Sequence, residues 1–164
     1  MIQVLVALAF APWAHPLAFQ PLAGWQTGAS GNTRSAYVGA SRRNHPPQES
    51  AAWIATGVRY RDKATADPPN ATLMHLPHGG LIVWAVISDS GWKGETRIRL
   101  DMATAKRFAC CEATRIPGEY DISGYGPGSR YSVIVRVYFG SEPTNALRAK
   151  AQRALDRLEL PAWR

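Results

Sequence analysis

The sequence predicts a small, β-rich α+β domain in which an antiparallel sheet or sandwich is covered by a C-terminal amphipathic helix. Short apolar runs separated by 14 glycines and 12 prolines favour strands over long helices. The continuous apolar run at residues 81–87 is typical of a strand buried on both faces. Helical spacing begins only near residue 143. A chain of 164 residues favours one core, so we expect one domain over residues 17–164.

The N-terminal segment predicts export. Residues 1–33 contain no Lys, Arg, Asp or Glu, and residues 2–14 are almost entirely apolar. This run matches the apolar core of a secretory signal and is shorter than the roughly 20 residues of a membrane-spanning helix. We therefore expect residues 1–16 to be a leader and the mature domain to be extracytoplasmic, secreted or in the cell envelope, with no membrane-spanning helix. The alternative is a cytoplasmic protein in which this run is a buried first strand.

The first half of the domain contains three predicted strands. Residues 17–25 form a short strand and a Pro/Gly turn, with Trp25 in the core, and residues 35–39 form a second strand. Residues 51–60 alternate between two sets of side chains, which indicates a half-buried strand. One helical turn is expected at residues 71–76, before the His-Gly-Gly turn that precedes the central strand.

The second half continues the sheet and ends in the helix. Residues 95–102 alternate between charged and apolar side chains, so one face should be solvated. Weaker strands are expected at residues 108–113 and 119–125. Residues 130–139 place Val133, Val135, Val137 and Phe139 on one face and Ile134, Arg136 and Tyr138 on the other. The helix should span residues 143–159, with a Leu/Ala stripe on the sheet and its basic residues in water.

Three segments carry a resemblance to known proteins: residues 19–25 (Phe-Gln-Pro-Leu-Ala-Gly-Trp), residues 76–84, and residues 136–144 running into the final helix. Together they resemble small exported actinobacterial proteins of unknown function. The opening segment and the closing strand and helix are also similar to the PsbP/Mog1-like sandwich, an antiparallel sheet flanked by helices. The resemblance implies a fold and assigns no catalytic residue, because the shared positions are architectural.

The net charge of +7 does not by itself indicate nucleic-acid binding. Phosphate backbones are bound by clustered cations, whereas the basic residues here come in ones and twos, such as Arg97 with Arg99 and Lys106 with Arg107. The pattern predicts a solvated basic surface or contact with an anionic envelope component, and makes nucleic acid an unlikely partner. The acidic residues should also be solvated; they include Asp89, Asp101, Glu119 and Asp121.

Two small groups of residues are candidate sites. Trp92 and Tyr125 lie in predicted loops beside Lys93 and Arg130, and exposed loop aromatics mark binding surfaces. These four residues form the predicted binding patch. No Gly-x-Ser-x-Gly elbow or phosphate-binding glycine loop is present, so no catalytic residue and no cofactor are predicted.

The second group contains His75, His78, Cys110 and Cys111, which are ligand types that zinc prefers. Adjacent cysteines differ from the usual zinc knuckle, and they rarely form a disulfide with each other because the ring is strained. The leading hypothesis is a non-enzymatic exported domain that binds an envelope component or partner protein. The alternative is a metal-binding or thiol-redox protein that uses the His/Cys group.

Overall fold

The computed structural model describes residues 17–30, 33–34, 48–64, 69–88, 97–108, 118–125 and 131–161. The strands of this part are β1 (Ala18–Phe19), β2 (Gln26–Ala29), β3 (Thr33–Arg34), β4 (Gln48–Thr56), β5 (Leu81–Ser88), β6 (Lys106–Arg107), β7 (Gly118–Tyr125), β8 (Ser132–Phe139) and β9 (Leu158–Glu159). Its helices are α1 (Asn70–Leu73) and α2 (Asn145–Leu155). The predicted leader and the strand at residues 35–39 lie outside the described residues.

The main sheet is antiparallel, as predicted. Its order is β2-β4-β5-β8-β7-β6, and β3 pairs with the beginning of β4. A separate two-stranded sheet joins β1 to β9. The predicted central strand is confirmed, because β5 lies between β4 and β8 and residues 81–87 are all buried. Among the described helices, none has the length and apolar character needed to cross a membrane.

One face of the sheet carries the larger hydrophobic core. The predicted alternation of β8 is confirmed, since the three valines and Phe139 are buried here while Ile134, Arg136 and Tyr138 occupy the other face. The core also takes residues from α2, from β1 and β9, and from the segment before β6: Ala151, Ala154, Leu155, Phe19, Leu158, Ile98 and Met102. This face is the main apolar interior of the described part of the chain.

The C-terminal helix is shorter than predicted. Thr144 caps its beginning, with its hydroxyl accepting a hydrogen bond from the Leu147 amide, and the helix ends at Leu155 instead of residue 159. Leu158 lies in β9, where it pairs with Phe19 of β1 and reaches the core as a strand residue. The apolar residue at position 158 extended the helical spacing in the sequence, but strand pairing determines its position in the structure.

Two other expectations need correction. Residues 51–55 are mostly buried on both faces of β4, because aromatic side chains shield the second face as well. Trp25 is half-buried against the core, not inside it. Of the strand expected at residues 108–113, Phe108 follows β6 directly and residues 109–113 lie outside the described part. The turn before β5 is confirmed, with Gly79 at a φ of +80°.

Candidate functional site

A cleft lies along one edge of the main sheet, between β7 and the chain that precedes β6. Residue Arg97 forms a parallel bridge with Tyr125, and the Ile98 amide donates to the Tyr125 carbonyl at 2.9 Å. Further along the chain, Lys106 pairs with Asp121 in the antiparallel direction. The chain from residue 97 to residue 107 therefore forms an arch that meets β7 at both ends. The middle of β7 lies opposite the arch.

The arch is held in shape by a turn at Asp101 and by helix α2. The Asp101 carboxylate accepts a hydrogen bond from the Ala103 amide at 2.8 Å, as short polar side chains commonly do in turns. The side chain of Gln152 donates to the Leu100 carbonyl at 3.0 Å and accepts from the Met102 amide at 2.9 Å. Both bonds connect the arch to α2, so the position of the arch depends on the helix.

The cleft has a volume of about 290 Å³. This is at the lower limit of small-molecule pockets, which are roughly 300 to 1,000 Å³. Its lining residues come from the arch and from β7: Arg97, Arg99, Thr104, Lys106, Asp121, Ile122 and Ser123. We call this cavity the basic cleft. The predicted alternation of residues 95–102 explains why both arginines reach the cavity, because Ile98 is buried while Arg97 and Arg99 are exposed.

The three cations of the basic cleft have no carboxylate partner within the part of the chain that the structure describes. Asp121 is the single acidic residue in the lining, and its carboxylate is directed to another cation, with Oδ1 3.7 Å from Nε of Arg136. Like charges held together raise the local positive potential and attract anions. The sequence did not predict this clustering, because Lys106 is separated from the two arginines along the chain.

Arg136 lies between two carboxylates on the second face of the sheet. Its Nη1 is 3.6 Å from Oε1 of Glu119, and its guanidinium carbon lies 4.2 Å from the centre of the Phe108 ring. Glu119 is only 9% exposed, which corrects the expectation of a solvated acid. Burial raises the pKa of Glu119, the positive charge of Arg136 lowers it, and the negative charge of Asp121 raises it further.

Aromatic side chains cover the part of the second face that lies away from the cleft. Trp53 and Tyr60 stack with ring centroids 3.5 Å apart, and Trp84 is buried opposite Trp53 on β5. The hydroxyls of Tyr60 and Tyr138 are buried without a hydrogen-bond partner among the described residues, and burial raises the pKa of both phenols. The cross-strand row Trp53, Trp84, Arg136, Asp121 and Lys106 joins this aromatic region to the basic cleft.

The predicted binding patch is described at one position. Tyr125 is half-buried at the end of β7, where its backbone supports the arch at Arg97. Trp92, Lys93 and Arg130 lie outside the described residues. The cation that the structure brings beside Tyr125 is therefore Arg97, which the sequence analysis had only noted as one of a pair.

The His/Cys group is described at its two histidines. His75 and His78 are both exposed, one just after α1 and the other in the turn before β5. Cys110 and Cys111 lie outside the described residues. Within the described ranges, no three His, Cys, Asp or Glu side chains are grouped closely enough to hold a metal ion.

Not all basic residues of α2 face water as expected. The Arg148 guanidinium donates to the Tyr120 hydroxyl at 2.7 Å and lies 4.7 Å from the centre of that ring. Arg153 and Lys150 are exposed, as predicted.

Comparison of the chain with protein-family models, with curated proteins and with solved structures finds no match.

Proposed function

We propose that this domain is a non-enzymatic binding domain and that its basic cleft binds an anionic group of an envelope component. The observation that carries the proposal is the convergence of Arg97, Arg99 and Lys106 on one cavity without a carboxylate partner among the described residues. Keeping three like charges together costs free energy in the unliganded domain. A bound anion would offset that cost.

The size of the basic cleft supports a small ligand group. A volume of about 290 Å³ accommodates one charged unit, such as a single sugar or one acidic side chain, and not an extended polymer. A longer anionic chain would place one unit in the cleft and extend beyond it. The two arginines suit a carboxylate or phosphate because each guanidinium presents several N–H donors in a fixed plane.

We propose further that the domain is exported, so that the basic cleft meets envelope material. The apolar run at residues 2–14 supports this proposal. Intact mass and N-terminal sequencing of the protein recovered from fractionated host cells test it. Loss of about the first 16 residues, which leaves β1 in place, with recovery outside the cytoplasm is the expected result. An intact Met1 in the cytoplasm would overturn it.

We also propose a sandwich-like arrangement in which α2 covers the first face of the sheet with its apolar stripe. Ala151, Ala154 and Leu155 are buried in the same cluster as Val83 of β5 and the valines of β8, which supports this arrangement. In it, the helix leaves the edge of β7 and the arch accessible to a ligand. The contact of Gln152 with the arch supports a fixed distance between the helix and the basic cleft.

Paired substitutions test the binding proposal. The variant R97A/R99A removes two cations of the cleft, whereas R59A/R61A removes two exposed cations near the end of β4, which is separated from β7 by β5 and β8. Binding to fluorescent polygalacturonate and polyglutamate is measured by anisotropy at low and at physiological ionic strength. We expect R97A/R99A to weaken binding to both polymers at least about tenfold and R59A/R61A to change it less than about twofold. Equal losses in the two variants would overturn the proposal.

A further inference from the structure

The lining of the basic cleft is not uniformly positive, and this limits the kind of anion it accepts. Asp121 lies on the β7 side of the cavity, opposite the cations of the arch. Its side chain is 20% exposed and makes no hydrogen bond with any described residue, since the closest guanidinium nitrogen is 3.7 Å away. A partly buried carboxylate with free acceptor positions repels a plain anion and favours a ligand that donates hydrogen bonds.

Two hydroxyl groups complete the lining. Thr104 donates its hydroxyl proton to the Asp101 carbonyl at 2.9 Å, so its oxygen is presented as an acceptor. Ser123 is exposed and has no hydrogen-bond partner among the described residues, so its hydroxyl can donate or accept. The cavity thus combines three cations with a carboxylate and two hydroxyl groups that can accept hydrogen bonds. A ligand that matches this lining carries an anionic group and neighbouring hydroxyls within one small unit.

On the basis of the proposed function, we infer that the ligand unit is an acidic sugar of the uronic acid type. Its carboxylate would be bound by Arg97, Arg99 and Lys106, and its ring hydroxyls would form hydrogen bonds with Asp121, Thr104 and Ser123. One pyranose ring is also a suitable size for about 290 Å³. An acidic peptide offers the carboxylate without adjacent hydroxyls, and its donors are the backbone N–H groups, which are separated from the carboxylate by the flexible side chain.

The role of Asp121 makes this inference testable with three probes. These are tri-galacturonate, an N-acetylated and C-amidated tri-glutamate with the same three carboxylates, and inorganic sulfate. Binding to the full chain is measured by isothermal titration calorimetry. We expect tri-galacturonate to bind about tenfold more tightly than tri-glutamate, because its ring holds the hydroxyl donors in a fixed position relative to the carboxylate, whereas the peptide has only backbone and terminal amide donors beyond a flexible side chain.

The variant D121N should shift two probes in opposite directions. Tri-galacturonate should bind about tenfold more weakly, because the amide accepts fewer hydrogen bonds than the carboxylate. Sulfate should bind more tightly, because one negative charge leaves the cavity. A general loss of structure would weaken both. The matched control E119Q changes the carboxylate on the other side of Arg136, which does not line the cleft, and should leave both affinities within about twofold.

A second variant keeps the test independent of the ion cluster around Arg136. S123A should weaken the binding of tri-galacturonate about threefold and leave the affinity for sulfate unchanged. Equal affinity for tri-galacturonate and tri-glutamate, with D121N strengthening both, would overturn the sugar inference while the anion-binding proposal stands. Failure of all three probes to bind, together with no effect of R97A/R99A on either polymer, would overturn both.

Discussion

Asp121 and Arg136 face each other across β7 and β8, with Oδ1 of the carboxylate 3.7 Å from Nε of the guanidinium. The same aspartate lines the basic cleft. Through this residue, the buried charge cluster of the second face is continuous with the surface that we propose for ligand binding. Changes within the cluster should therefore affect stability first and the cleft second.

Removal of the central cation of the cluster should be strongly destabilising. In R136M, Glu119 and Asp121 lose their shared positive neighbour and remain partly buried. We expect a loss of about 3 kcal/mol in the free energy of unfolding at pH 7. Urea unfolding measures it. The triple variant R136M/E119Q/D121N, in which both carboxylates are replaced by neutral amides, should recover most of the loss. An equal loss in R136M and in the triple variant would contradict this account.

The raised pKa of Glu119 predicts a pH-dependent effect of E119Q. The folded state favours the protonated carboxyl, so its stabilising contribution is complete below the ordinary value of 4.5 and is lost as the pH rises through the folded pKa. The amide of E119Q stays neutral. The variant should therefore match the wild-type Tm near pH 4 and exceed it at pH 7.5.

Differential scanning calorimetry across this pH range checks the effect. The control E142Q removes an exposed carboxylate that pairs with Arg107, and should change Tm little at any pH because surface pairs contribute little. A wild-type protein that gains stability over E119Q as the pH rises would show that the pairing with Arg136 outweighs the burial of Glu119.

The stacked pair of Trp53 and Tyr60 depends on the absence of a side chain at Gly28. A Cβ at this position would lie 2.7 Å from Nε1 of the Trp53 indole, so G28A must displace the ring from Tyr60. We expect a loss of about 1 to 3 kcal/mol and a change in the near-ultraviolet circular dichroism. T27A, at the exposed preceding position of β2, should change neither. An unchanged aromatic signal in G28A would contradict the stacking.

Gln152 should control the position of the arch. Q152A leaves the Met102 amide and the Leu100 carbonyl without their partner, and we expect a loss of about 1 to 2 kcal/mol. Hydrogen exchange followed by NMR should show faster exchange at Met102, and affinity for tri-galacturonate should fall several-fold. R153A, at the next exposed helix position, serves as the control. Unchanged exchange at Met102 would mean that the arch is held by other contacts.

Hydrophobic patterns predicted the sheet well because its central strands follow simple periods. The continuous apolar run of β5 and the alternation of β8 each correspond to one geometry. The end of α2 could not be read in this way, since Leu158 continues the helical spacing although it belongs to β9. Pairing with Phe19 is a contact across most of the chain, and local periodicity contains no information about it.

The candidate site was less predictable for the same reason. The exposed positions of Arg97 and Arg99 followed from alternation, but their proximity to Lys106 and Asp121 depends on strand register. The burial of Glu119 likewise depends on which residue of β8 lies opposite. The spacing of charged residues along the chain predicted a solvated surface. Strand pairing instead brings Glu119, Asp121 and Arg136 together on the second face and places Lys106 in the basic cleft.

The most direct test of anion binding in the basic cleft is an NMR titration of the ¹⁵N-labelled full chain with sodium glucuronate. We predict saturable shifts at the amides of residues 97–107 and 121–123, with those of Arg59 and Arg61 unchanged, and loss of the shifts in R97A/R99A. Saturable shifts confined to other parts of the chain, and retained in R97A/R99A, would contradict the central claim.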